Sequence, residues 1–190
     1  MTTFAPTLYT RTFPRSAGWL RDGTLIVLGT LFVAVLAQIR IPLPFSPVPL
    51  TGQTFAVLLV GAALGSKRGS ASMVLYLAVG ALGLPVFAGG ASGIAYLSGA
   101  TLGYLVGFVA AAAVVGLLAE RGLERSVLTS LLPFLLGTII IYAMGVAWLS
   151  LVLGSLSQAV AAGVVPFLVG DALKLVAAAL ILPAAWKLVK

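Results

Sequence analysis

Six apolar segments, joined by short connections, leave this 190-residue chain little way to fold except across a lipid bilayer. They cover residues 24–41, 53–64, 70–87, 97–119, 126–153 and 165–186. In hydrocarbon every backbone N–H and C=O must be satisfied within the protein, so such segments become helices. A spanning helix takes about 20 residues. The second segment is short by that measure and is read as extended beyond its apolar part or partly buried in protein. Composition agrees: the chain is 61% hydrophobic and 8% charged, where a soluble domain carries about 25% charged residues. The expectation is an all-α integral membrane protein with six transmembrane helices. Residues 24–190 form one domain, and 1–23 form a cytoplasmic tail.

Basic residues set the orientation. Arg11, Arg15 and Arg21 precede the first segment, Lys67 and Arg68 follow the second, Arg121 and Arg125 follow the fourth, and Lys187 and Lys190 follow the sixth. With six crossings these nine fall on one side, and the opposite connections near 42–52, 88–96 and 154–164 hold no Lys or Arg. The positive-inside rule then places both termini in the cytoplasm. The net charge of +7 therefore reports topology, and no nucleic-acid surface is expected. The tail does not resemble a cleavable signal peptide, because its basic stretch is long and no small-residue cleavage site follows.

Several chemistries are excluded by what the chain lacks. It has no Cys and no His, and only four acidic residues. Disulfides, thiolate or imidazole zinc sites, Cys nucleophiles and His-based triads are ruled out. Gly61 to Lys67 looks superficially like a phosphate loop, but three residues separate its glycines where four are needed, and Ser66 precedes the Lys. No enzyme and no cofactor is expected.

The outer connections are unusual. Residues 42–49 alternate prolines with apolar residues and Ser46, which makes them extended and non-helical. Residues 89–93 are glycine-rich and permissive. Both are apolar, and they read either as a lid over a site or as loops resting on the bilayer. Gly99, Gly103, Gly107 and Ala111 recur every four residues and read as a helix-packing stripe, as do Gly61 and Gly65. Thr30 and Ala34 form another small pair, open to packing or to a partner protein.

One pair of charges interrupts this pattern. Asp171 and Lys174 are the charged residues in the run 159–186. A charge at the centre of a membrane helix costs about 2.5–3.5 kcal/mol on insertion scales. With Pro166 as the first helical residue, Asp171 lies about 7 Å into the membrane segment, and Lys174 follows one turn later on the same face. The pair is either a self-compensating salt bridge or a binding site for a small ligand with hydrogen-bond donors and an anionic group. Tyr142, Trp148, Tyr104, Gln53 and Thr51 are the polar and aromatic candidates to line such a site.

The residues Ile41-Pro42-Leu43-Pro44-Phe45-Ser46-Pro47-Val48-Pro49-Leu50-Thr51-Gly52-Gln53-Thr54 resemble the first outer loop of one family. Tyr76-Leu77, Gly83-Leu84-Pro85-Val86-Phe87-Ala88-Gly89-Gly90, Gly103-Tyr104-Leu105-Val106-Gly107-Phe108 and Gly170-Asp171-Ala172-Leu173-Lys174 continue the pattern. The chain is similar, over about 28–185, to the BioY family, the biotin-specific substrate-binding subunits (S components) of energy-coupling-factor (ECF) transporters. The resemblance implies an ECF S-component-like bundle in a bacterial or archaeal cell (inner) membrane, binding biotin from outside. It implies ligand binding by Asp171 and Lys174, with a transmembrane coupling subunit and ATP-binding-cassette ATPases as partners. The family's Ala-x-x-x-Ala contact with the coupling subunit aligns here with Thr30 and Ala34. Some relatives also use an Asn and an Arg near the outer connection between the third and fourth segments. This chain has no Asn, so the N–H groups of Gly89 and Gly90, or Arg40 reaching across, are the candidate replacements. An S component for another vitamin, or a membrane scaffold with a structural Asp–Lys pair, are the alternatives.

Overall fold

The computed structural model describes residues 3–15 and 17–189, so Met1, Thr2, Ser16 and Lys190 of the tail and last basic cluster lie outside the described residues. The segment read as a tail opens with helix α1 (Phe4–Thr12). Phe4, Ala5, Leu8 and Tyr9 follow helical spacing and face one apolar groove beside the bundle. Phe4 meets Trp186 edge-on, with ring centroids 5.7 Å apart. This segment is thus packed on the body of the protein.

Helix α2 (Gly18–Ala37) begins six residues ahead of the apolar segment that predicted it. Its early charges explain the extension. Asp22 accepts from Arg21 Nε and Arg68 Nε, both at 2.9 Å, so that end carries a neutralised cluster. The proline-rich connection is a two-stranded antiparallel ribbon, β1 (Arg40–Leu43) and β2 (Ser46–Thr51), within an otherwise helical chain. The all-α expectation contained no strand. Its register pairs Arg40 with Thr51, Ile41 with Leu50 and Leu43 with Ser46, with an irregularity at Pro42. Proline has no N–H to give a ladder, so it is confined to such edges and bulges.

Helix α3 (Gln53–Leu64) has the bounds that the apolar pattern predicts. Gly65, at φ +84°, separates it from α4 (Ser66–Ala81). Only glycine takes that φ without strain, and a side chain there would also strike Glu120 Oε1. Glu120 Oε1 accepts from Ser66 N at 2.8 Å, which caps α4 from across the bundle. Beyond α4 the chain turns inward. Phe87 is fully buried, T-shaped against Tyr76 and stacked on Tyr96. The apolar run to 87 therefore ends in a loop that is exposed at residues 82–85 and buried at Phe87, not in helix.

Short α5 (Ile94–Leu97) leads to α6 (Leu102–Ala119), and a 3-10 turn at Leu123–Arg125 leads to α7 (Val127–Leu153). Ser126 caps α7 by accepting from Thr129 N at 3.2 Å. Then come α8 (Leu156–Gly163), a second 3-10 turn at Val165–Phe167, and α9 (Leu168–Val189). The glycine stripe packs α6 on α7. Gly103 faces Met144, Gly145 and Trp148, and Gly107 faces Ile141 and Met144. Gly61 on α3 meets Ala112 on α6 in the same way. Such small pairs let backbones approach closely.

Among the described residues four helical stretches are long and apolar enough to cross a membrane: α2, α6, α7 and the α8–α9 stretch. Helices α3 and α4 are shorter, at 12 and 16 residues. One buried cluster gathers Val33, Ala56, Tyr76, Phe87, Tyr104, Phe108 and Ile141 at the ribbon end of the bundle. A second gathers Leu58, Val115, Phe134, Ala178 and Leu182 toward the basic end.

Candidate ligand-binding site

Asp171 sits in the first turn of α9, because the 3-10 turn at Val165–Phe167 precedes the helix. A carboxylate there is favoured by the positive end of the helix dipole. It is 6% exposed, and three elements meet on it. Lys174 Nζ, one turn along α9, donates to Oδ1 at 2.7 Å. Thr54 Oγ1, in the first turn of α3, donates to Oδ1 at 3.1 Å. Tyr142 OH, from α7, donates to Oδ2 at 2.6 Å.

Lys174 is equally engaged. Besides Asp171, its ammonium donates to Thr51 O at 2.7 Å and Thr54 Oγ1 at 3.0 Å. An ammonium has three protons, so all three are used. Thr54 stands between the two charges, accepting from one and donating to the other. A carboxylate offers about four acceptor positions. Among the described residues Asp171 uses three, which leaves one on Oδ2. Complete pairing is what makes buried charges tolerable.

These polar groups form one wall of a cavity of about 40 Å³. Gln53 and Tyr104 also line it. Gln53 Nε2 donates to Tyr76 OH at 2.8 Å, and Gln53 Oε1 accepts from Thr51 Oγ1 at 3.1 Å. Tyr104 OH donates to Gly163 O at 2.8 Å, across from α6 to the end of α8. The remaining wall is apolar or aromatic: Val48 and Pro49 of the ribbon, Tyr96, Phe108 and Phe167. From the outer connections, Val48 and Pro49 of the ribbon and Tyr96 of α5 reach the lining. The ribbon is tied to α8 by Ser46 Oγ donating to Ala162 O at 2.7 Å, and to α9 by Lys174.

Asp171, Lys174, Tyr142, Gln53, Tyr104 and Thr51 are thus brought together. Other candidates are not. Trp148 Nε1 donates to Gly99 O at 2.9 Å and lies outside the lining. Gly89 N donates to Ala37 O at the end of α2 and Gly90 N to Phe87 O in its own loop, so both backbone donors are used within the protein. The Arg40 side chain packs against Gly89 and is not part of the cavity lining. Thr30 and Ala34 are 5% and 8% exposed. Thr30 Oγ1 donates to Ser72 O at 2.9 Å, so the pair faces α4 rather than open surface.

Thr54, Tyr96, Phe108 and Phe167 were not among the candidates from sequence. Thr54 carried a readable signal: Thr51, Gln53 and Thr54 are the polar residues at the head of an otherwise apolar segment. The three aromatic residues carried none, since nothing in their spacing distinguishes cavity wall from core.

The fold agrees with comparisons to known proteins. A profile of the BioY family matches residues 7–190. The chain is 41% identical over 157 residues to a protein of Thermotoga maritima named biotin transporter BioY, covering 83% of this chain and 92% of that one. It is 36% identical over 167 residues to a Rhizobium etli protein of the same name, covering 82% and 89%. Among solved structures it is similar to the crystal structure of the S component for biotin from an ECF-type ABC transporter. That match has a TM-score of 0.81 at 29% identity, covering 88% of this chain and 92% of the other.

Proposed function

The chain belongs to the BioY family, and on that premise we propose that it is a biotin-binding S component of an ECF-type uptake transporter. It is a binding subunit and not an enzyme. The observation that carries this reading is the spare acceptor position on buried Asp171, at the edge of an aromatic cavity. Biotin offers matching chemistry. A ureido N–H donates to Asp171, Lys174 or a hydroxyl of the network meets the ureido oxygen, and Tyr96, Tyr104 and Phe108 hold the apolar bicycle. Arg40, opposite Thr51 on the ribbon, is the cation proposed to reach the valerate carboxylate.

The cavity of about 40 Å³ has room for a few waters, whereas small-ligand pockets are about 300–1,000 Å³. Admission of biotin therefore requires the ribbon or the 83–101 loop to move. Six crossings with both termini in the cytoplasm, in the inner membrane, complete the proposal. A coupling subunit and ATPases supply the energy. Because Thr30 and Ala34 face α4, contact with the coupling subunit falls on their exposed neighbours Leu31 and Val35 unless the helices shift.

Titration of the purified protein with biotin tests the site. Asp171→Asn is expected to weaken binding about 10–100-fold, the worth of a hydrogen bond to a charged group. Wild-type affinity in both Asp171→Asn and Lys174→Ala contradicts the site, and unchanged affinity in Arg40→Ala removes Arg40 from it.

A further inference from the structure

Most side-chain donors along the ligand cavity are committed to acceptors of the protein. Lys174 gives its three protons to Thr51 O, Thr54 Oγ1 and Asp171 Oδ1. Tyr142 and Thr54 donate to Asp171, Tyr104 to Gly163 O, and Thr51 Oγ1 to Gln53 Oε1. Gln53 is different. Its Nε2 carries two protons, and among the described residues one of them is used, toward Tyr76 OH at 2.8 Å. The side chain is nevertheless buried, at 5% exposed, and lines the cavity. Tyr96 and Thr101 also line it with hydroxyls that have no partner among the described residues, but both are partly exposed, where water serves them.

The direction of this amide is fixed from outside the cavity. Tyr76 is fully buried on α4, and its hydroxyl lies 2.9 Å from Val86 O. A carbonyl only accepts, so the Tyr76 proton goes to Val86 and the hydroxyl oxygen must accept from Gln53. Nε2 therefore faces Tyr76, and Oε1 faces the Thr51 hydroxyl, 3.1 Å away. A flipped amide would set Oε1 against a hydroxyl with no proton left for it, at the loss of a buried hydrogen bond. The ring of Tyr76 is held as well, T-shaped against Phe87 with centroids 5.4 Å apart.

A buried donor without an acceptor is costly, and a ligand carbonyl removes that cost. We infer that Gln53 donates its free Nε2–H to the carbonyl oxygen of a cyclic urea, and that Tyr76 is the positioning residue that keeps the amide turned that way. The inference rests on the biotin reading. Asp171 has one spare acceptor position and Gln53 one spare donor, and a single ureido group supplies the N–H and the C=O that match them. Lys174 reaches the same oxygen only by giving up one of its three bonds, whereas Gln53 gives up none. A ligand that carries a donor in place of the urea carbonyl sets N–H against N–H and is disfavoured.

The test titrates the full chain in detergent with biotin and with iminobiotin, its cyclic guanidine analogue. At neutral pH that analogue is protonated and donates where biotin accepts. The quantity read is the ratio of the two affinities. Gln53→Leu removes the donor and is expected to lower the preference for biotin about tenfold, through weaker biotin binding. Tyr76→Phe keeps the ring against Phe87, frees the amide to turn, and is expected to lower the preference about fivefold. A merely structural loss weakens both ligands by one factor and leaves the ratio where it was. An unchanged or increased preference in Gln53→Leu overturns the donor role, and the same result in Tyr76→Phe overturns the positioning role. Absence of biotin binding in the wild-type chain overturns the biotin reading itself and is seen before any variant is compared.

Discussion

Thr54 shows how one hydroxyl connects the candidate site. It accepts from Lys174 Nζ at 3.0 Å and donates to Asp171 Oδ1 at 3.1 Å. Thr54→Val keeps the shape and deletes both bonds, so biotin affinity in a titration is expected to fall about tenfold. Thr54→Ser restores the hydroxyl and is expected to stay near wild type, an outcome that a purely steric role does not produce. Glu124 is a residue of a different kind. Burial lifts its carboxyl above the ordinary 4.5, and the nearby Arg125 charge opposes that only in part. The folded protein then holds this proton more tightly than the unfolded chain does. The stability contributed is complete below pH 4.5 and is lost as pH rises through the native value. Glu124→Gln is neutral throughout. Its melting temperature is expected to pull ahead of wild type as pH rises from 4.5 to neutrality, measured by thermal unfolding in detergent. A constant gap contradicts the argument. Asp171, Lys174 and Tyr142 were legible in the sequence because a charge or hydroxyl in an apolar run is conspicuous. Glu124 was not, because its surroundings depend on which helices arrive beside it.

At the scale of elements, glycine governs how closely helices pack. A side chain built on Gly145 of α7 would meet the Tyr104 ring of α6, whose hydroxyl holds Gly163 O. Gly145→Ala is therefore expected to destabilise the fold by about 1–3 kcal/mol, the usual cost of overpacking, seen as a lowered melting temperature. Biotin affinity should weaken with it, since Tyr104 lines the cavity. The stripe of glycines on α6 was readable as packing, and α3 coincides with the apolar segment 53–64 without extending beyond it. The ribbon was not. Its prolines announce extended chain, but whether two extended halves pair depends on register, and only the folded chain brings Leu43 opposite Ser46. The helical state of α1 was likewise missed. A nine-residue helix is not stable alone and forms here by packing on the bundle.

For the whole molecule, orientation is directly testable because the chain has no cysteine. A single cysteine replacing exposed Phe45 or Leu156 is expected to react with an impermeant maleimide added to intact cells. One replacing exposed Lys187 is expected to react only after lysis, and the reverse pattern inverts the topology. The sequence alone determined that apolar helices build this protein, which ends carry positive charge, and which two charges stand apart from the pattern. Those features are local: hydropathy and charge act along the chain and need no partner to be read. The tertiary structure decided the rest. It brought Thr54, Tyr142 and Thr51 to the Asp171–Lys174 pair from three other elements, turned Thr30 and Ala34 toward α4, and set Arg40 against Gly89 outside the cavity lining. Each depends on distances between residues far apart in the chain, and close packing fixes those only once every helix has found its neighbour.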